Sequence, residues 1–263
     1  MTYIKHYWND KENRAIIAKD HTLEMDRKYS KEIRDCIANT KVYNPDHVFR
    51  KKSTYPETNI LIENSTTTGE KSVLSAYNKN VTILNFASYK NPGGMFINGS
   101  KAQEECICHD SFLYNVLKEF PDYYEWNNQH KNKALYLNRA LYSPNVLVNC
   151  GNEYKPCNVI TCAAPNKSAA QKYANITDKE NYSVLQSRIK FVLDIAAEND
   201  TDTLILGAYG CGVFGQDPRE VAMIFRYMIG TYHKNSFATI VFAIPEGRDG
   251  NLNVFRDVFA TKG

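Results

Sequence analysis

The run Asn91-Pro-Gly-Gly-Met-Phe-Ile-Asn-Gly-Ser-Lys-Ala-Gln-Glu-Glu, ending at Glu105, brings a glycine pair and two adjacent carboxylates into one short stretch. Gly93 and Gly94 permit positive φ and let the backbone approach a ligand with no Cβ in the way. A carboxyl group can give up a proton and take it back, so Glu104 and Glu105 are candidates for general acid–base chemistry. Adjacent helical residues point about 100° apart, which predicts that only one of the two faces a given ligand atom. Two effects compete for their protons. A helix N-terminus favours the ionised form by roughly 0.3–1 kcal/mol when exposed. Burial and a neighbouring like charge favour the protonated form, and far more strongly when burial is complete. A general acid needs the second effect to win. The plain alternative is that both glutamates decorate the start of a helix, where acidic residues are common.

A second run, Gly207-Ala-Tyr-Gly210-Cys211-Gly212-Val213-Phe214-Gly215-Gln-Asp217-Pro218, holds closely spaced glycines between an apolar segment and a capped helix. Its backbone N–H groups, with the helix start beyond them, suit a phosphate or diphosphate. The spacing is neither that of a P-loop nor GxGxxG. A tight turn that simply needs glycine is the competing reading. Cys211 raises the separate idea of a low-pKa nucleophile, but no histidine sits near it in sequence to act as base. Phe214 is placed either to fill core or to pack on a ribose or base.

These residues need strands and helices to position them. Val81 to Ala87, 141–149, 158–164, Leu204 to Ala208 and Ala238 to Ile244 read as strands. The first 40 residues look helical, and 41–64 irregular to strand-like. Thr67-Thr68-Gly69-Glu70 has capping-box spacing ahead of Val73, Leu74 and Tyr77. Leu113, Val116, Leu117 and Phe120 continue a helical pattern from Gln103. Thr177-Asp178-Lys179-Glu180 is a second capping box, and Asp217 with Pro218 opens another helix. Val254, Phe255, Val258 and Phe259 suggest a closing helix. Strands alternating with helices predict an α/β sheet covered on both faces, with ligands at the carboxyl ends of its strands. Both glycine runs sit at such ends.

A chain of 263 residues, 43% hydrophobic and 23% charged, is a globular protein with one large domain or one domain and a small helical attachment. The net charge of +3 is too small to argue for nucleic acid, though it permits an anionic substrate. Met1 to Arg14 carries both signs of charge and no apolar signal region, and no apolar run approaches the roughly 20 residues that span a bilayer. The expectation is a soluble cytoplasmic protein, without membrane or direct nucleic-acid contact, and a monomer. Seven cysteines with no repeated CxxC fit a reducing compartment and make a zinc site improbable.

The two runs in this order resemble the microbial poly(ADP-ribose) glycohydrolases, which carry three glycines, a short spacer and Gln-Glu-Glu. Here Gly93-Gly94 is followed by Met95, seven further residues and Gln103-Glu104-Glu105. Leu84-Asn-Phe-Ala-Ser-Tyr-Lys-Asn-Pro-Gly-Gly resembles the family's strand and loop, and Leu206 to Pro218 its diphosphate loop. Tyr142-Ser143-Pro144 and Ala164-Pro165-Asn166 match smaller landmarks, and the resemblance runs from about residue 10 to 260.

The resemblance implies a macrodomain-like three-layer α/β/α fold with a mixed central sheet. An N-terminal helical extension (1–64) would pack on a catalytic core (65–263). It implies hydrolysis of ribose–ribose bonds in ADP-ribose polymers, with Glu105 as general acid/base and no cofactor or metal. Glu104, Gly93 and Gly94 would orient the terminal ribose, with Asn91 and Gln103 also in the binding set. Gly210, Cys211, Gly212, Val213 and Gly215 would hold the diphosphate, with Phe214 beside the ribose. Two other readings stay open: a reader of ADP-ribose without turnover, and a hydrolase of mono-ADP-ribosylated protein or another NAD-derived compound. Met95 replaces the third glycine and is expected to turn its side chain toward the core or the pocket rim.

Overall fold

The structure, a computed structural model, describes residues 10–50, 54–69, 80–151, 153–247 and 249–260. Its strands are β1 (Lys41–Tyr43), β2 (Asn59–Glu63), β3 (Val81–Phe86), β4 (Ala140–Asn149), β5 (Tyr154–Cys162), β6 (Thr203–Leu206) and β7 (Thr239–Ala243). They form one sheet in the order β1-β4-β5-β3-β6-β7-β2. β5, β3, β6, β7 and β2 run parallel, while β4 is antiparallel to both β5 and β1. The mixed sheet is the one expected of a macrodomain-like fold. Because five neighbouring strands are parallel, their C-terminal loops gather on one edge.

The helices described are α1 (Lys11–Lys28), α2 (Ser30–Asn39), α3 (Gln103–His109), α4 (Leu113–Leu117), α5 (Pro121–Gln129), α6 (Lys167–Ala174), α7 (Asp178–Glu198), α8 (Pro218–Tyr232) and α9 (Asn251–Ala260). Strand residues alternate between two cores, as the two-residue period of a strand requires. Ile83, Ile205 and Val241 pack with the layer of α1 to α5. Leu84, Leu204, Leu206 and Phe242 pack with α7, α8 and α9. Both faces of the sheet are therefore covered, and none of the described helices is long and apolar enough to cross a membrane.

The anticipated caps of α7 and α8 form. Thr177 and Glu180 exchange hydrogen bonds at the start of α7, and Asp217 accepts from the N–H groups of Arg219 and Glu220 at α8. The helical pattern from Gln103 breaks into three short helices, with Pro121 at the start of α5. β5 begins four residues before the expected 158. Pro156 lies in that added part, which only β4 pairs, so the missing donor is tolerated. Helix α6 had no clear apolar period to betray it. The helix anticipated through Val73, Leu74 and Tyr77 lies outside the described residues. The segment up to residue 64 is not only helical: β1 and β2 close the two opposite edges of the sheet.

Helix α1 lies against the loop that carries the glycine pair. The buried Arg14 donates from Nε to the Gly99 carbonyl at 2.6 Å. Gly99 has φ +77°, and a Cβ there would collide with the Lys11 carbonyl oxygen of α1. Gly99→Ala is therefore expected to cost about 1–3 kcal/mol, from left-handed strain and lost helix contact. Urea unfolding monitored by circular dichroism measures it; an unchanged midpoint would show that α1 does not press on this loop.

Candidate active site

The two glutamates open α3, yet neither is surface decoration. Glu104 is 3% exposed and Glu105 is 6% exposed. Glu104 turns toward β3. Its Oε2 accepts the Ser88 N–H at 2.6 Å, and its Oε1 accepts from Asn85 Nδ2 at 3.2 Å. Glu105 folds back over the start of its own helix. Its Oε2 accepts the Ala102 N–H and its Oε1 the Met95 N–H, both at 2.9 Å. Ala102 has no side-chain acceptor to return the favour, so α3 carries only half a capping box.

Both carboxylates come close to Gly94. An ideal Cβ on Gly94 would lie 2.5 Å from Glu105 Oε1 and 3.0 Å from Glu104 Oε2, and Gly94 has φ +62°. Glycine is required there on two counts, space and conformation. Gly93, at φ +63°, faces the Tyr114 ring and the Cys108 sulfur instead.

Burial decides the competition at Glu104. Desolvation pushes its carboxyl up to about 8, the Ser88 N–H and Asn85 amide pull it down, and the Glu105 charge pushes it up again. Glu104 is thus neutral through most of the neutral range. One sequence dipeptide thus gives two carboxyl groups with different hydrogen-bond partners.

Gln103 is used structurally. Its Oε1 accepts the Phe86 N–H and its Nε2 donates to the Leu84 carbonyl, each at 2.8 Å, so its amide continues the edge of β3 and fixes the roll of α3. Asn91 is exposed, and its carbonyl accepts the Gly94 N–H at 3.1 Å, closing the glycine turn. Met95 has φ −112°, which any residue adopts, and its side chain is 46% exposed at the rim. The third position of the glycine run therefore needs no glycine for its backbone here.

The second glycine run follows β6. Gln216 pins it, donating from Nε2 to the Pro165 carbonyl at 2.8 Å, while its N–H reaches the Gly210 carbonyl at 3.1 Å. The N–H groups of Gly212, Val213 and Phe214 make no hydrogen bond among the described residues. Gly212 has open space around it, and Val213 is exposed. The start of α8 is less available than the sequence suggested, because the Asp217 carboxylate already occupies its first N–H groups. An anion on this loop would thus be met by the three N–H groups rather than by the helix end.

Phe214 is half-buried, with its ring 6.3 Å from Tyr136, which stacks on Tyr89 at 4.2 Å. The surroundings of Cys211 disfavour the thiolate that a nucleophile needs. Burial pushes its thiol up to about 12, with Asp217 and Asp249 pushing the same way.

A cavity of about 480 Å³ opens beside the carboxylates rather than on them. Thr67, Phe86, Gln103, Gly212, Ile244 and Asn251 are among its lining residues, so it spans the strand ends from β3 to β7. Asn85, Ser88, Tyr89 and Tyr136 escaped the sequence reading. Asn85 had left a signal, a polar residue inside the apolar run of β3. Among the described residues no group of three or more His, Cys, Asp or Glu is arranged to hold a metal ion.

Residues 11–149, just over half of the chain, match the family described as microbial-type PARG, catalytic domain. Poly(ADP-ribose) glycohydrolase from Thermomonospora curvata is similar, with TM-score 0.84 and 29% identity over 94% of this chain and 100% of that one. The same enzyme bound to the inhibitor ADP-HPD matches with TM-score 0.81 and 28% identity, covering 94% and 99%. The enzyme from Deinococcus radiodurans in complex with ADP-ribose matches with TM-score 0.78 and 30% identity, covering 86% and 96%. No curated protein sequence matches.

With Glu104 protonated in the folded chain up to about pH 8 and ionised above 4.5 when unfolded, the folded state holds the extra proton between those values. Stability should therefore fall as pH rises from about 4.5 to about 8. Glu104→Gln, which mimics the neutral carboxyl, should lose that fall. Urea midpoints of both proteins across this range provide the check; parallel profiles would mean that Glu104 is ionised like an ordinary surface carboxylate.

Proposed function

The chain belongs to the microbial-type poly(ADP-ribose) glycohydrolase family, and we propose that Glu105 is the acid and base with which it cleaves ribose–ribose bonds of ADP-ribose polymers. The observation that supports this assignment is the pair of N–H groups, from Met95 and Ala102, on the two oxygens of Glu105. Each carboxylate oxygen has a further lone-pair direction to offer.

The terminal ribose lies over Gly94, where only a hydrogen separates backbone from both carboxyl groups. Glu105 gives its proton to the departing ribose oxygen as the glycosidic carbon takes on oxocarbenium character. The carboxylate so formed is stabilised by the two N–H groups, and it then activates the water that completes hydrolysis. Neutral Glu104 orients the ribose hydroxyls, and its hydrogen bonds to Ser88 and Asn85 fix its own direction.

The diphosphate lies on the N–H groups of Gly212, Val213 and Phe214, with its charge offsetting the developing cation. Phe214 packs beside the ribose. The adenosine half enters the cavity toward β7. Gly93, Gly210, Gly215, Asn91 and Gln103 act by shaping the two loops. Cys211 also shapes its loop, its N–H donating to the Ala208 carbonyl at 3.2 Å. We also place the protein in the cytoplasm as a monomer, without direct nucleic-acid contact. All seven cysteines are free, which suits a reducing compartment.

Glu105→Gln is expected to keep ADP-ribose affinity within about tenfold, roughly 1.4 kcal/mol. Release of ADP-ribose from polymer should fall by on the order of 10² or more. Chromatography of the products and calorimetric titration separate the two effects. Near-normal turnover by this variant would remove Glu105 from the mechanism and leave Glu104 as the acid.

A further inference from the structure

The strand order gives the substrate a direction. Along the edge where the parallel strands end, the cavity runs from Phe86 at β3 to Ala243 at β7, the free N–H groups follow β6 and the carboxylates lie beside β3. The terminal unit of a polymer, read as above, fills this row with its glycosidic carbon at β3. The remainder of the chain is attached through that carbon and must leave on the far side, toward β5 and β4.

That side is built from the loop leading into β4, and its backbone is unusual. Asn132, Lys133, Ala134 and Tyr136 all have positive φ, from +43° to +67°. Non-glycine residues seldom adopt this conformation, and a run of them persists only where the surroundings hold it. Here they do. The Asn166 N–H bonds the Ala134 carbonyl at 3.0 Å, Asn132 Nδ2 bonds the Tyr136 carbonyl at 3.1 Å, and Leu135 is buried. The loop is tied to the site as well. Tyr89 donates from its hydroxyl to the His130 carbonyl at 3.0 Å, one residue from the Ser88 N–H that holds Glu104.

This held segment and the neighbouring turn expose Lys90, Lys131 and Lys133. None of the three forms an ion pair among the described residues. Glu180, which senses Lys133, is committed to capping α7. An ADP-ribose polymer carries a diphosphate in every unit, so its remainder arrives here as a polyanion.

We propose that Lys90, Lys131 and Lys133 form a basic track that binds the ADP-ribose polymer beyond the scissile bond. The inference rests on the reading of the active site given above. The track adds affinity for chains of several units and none for ADP-ribose itself.

The test uses the full chain carrying Glu105→Gln, so that polymer is bound and not consumed, with and without Lys90→Ala, Lys131→Ala and Lys133→Ala together. Polymer affinity at low salt is expected to fall at least about tenfold, with ADP-ribose affinity changed less than about twofold. The slope of log affinity against log salt should flatten by about 2, from three contacts at roughly 0.7 each. Replacing the same lysines by arginine should preserve polymer binding. Unchanged polymer affinity, or a parallel loss for ADP-ribose, overturns the track. So does single-stranded RNA of matched charge that binds the unmutated surface as tightly as polymer. Failure of the Glu105→Gln chain to bind either ligand would instead defeat the reading of the site, and the track with it.

Discussion

Two carboxyl groups on consecutive residues cannot both be taken out of water and remain charged at small cost. Burial alone disfavours each anion, and each anion disfavours the other. The structure resolves this by giving the pair unequal surroundings. Glu105 receives two backbone N–H groups, from the glycine loop and from the start of its own helix. Glu104 receives one backbone N–H and one amide, and keeps its proton to about pH 8. The difference sets a neutral Glu104 beside a Glu105 held by backbone on both of its oxygens.

Much of the surrounding architecture follows from that arrangement. The N–H of Met95 can point at Glu105 only if the glycine loop is held, and α1 holds it through Arg14 and the close contact at Gly99. Helix α3 must present both side chains inward, and Gln103 sets its roll by bonding the backbone of β3 on both sides of its amide. β3 itself lies in the middle of the sheet, with β5 and β6 pairing its two edges. The second glycine loop, by contrast, leaves Gly212 and Val213 exposed.

The sequence revealed the strands, the two capped helices and the identities of the glutamates, because apolar period, cap chemistry and glycine placement are local signals. What it hid was tertiary. The divergence of Glu104 and Glu105 depends on Ser88, Asn85 and Ala102, which no spacing rule connects. The bonds from the Gln103 amide to β3 were likewise hidden, since an amide that matches a strand edge is recognisable only when the strand lies beside it. Asp217 marked a helix start correctly, yet its charge is what removes that start as an anion site. β1 and β2 are short edge strands, defined by partners far along the chain rather than by their own pattern.

The central claim is that one of two adjacent glutamates is neutral in the folded protein at neutral pH. Carbon-13 NMR of protein labelled at the glutamate carboxyl carbon reads it directly, with Glu104→Gln assigning the signal. The account predicts a Glu104 resonance that titrates near pH 8. A resonance already ionised at pH 7, with a midpoint near the ordinary 4.5, would contradict it.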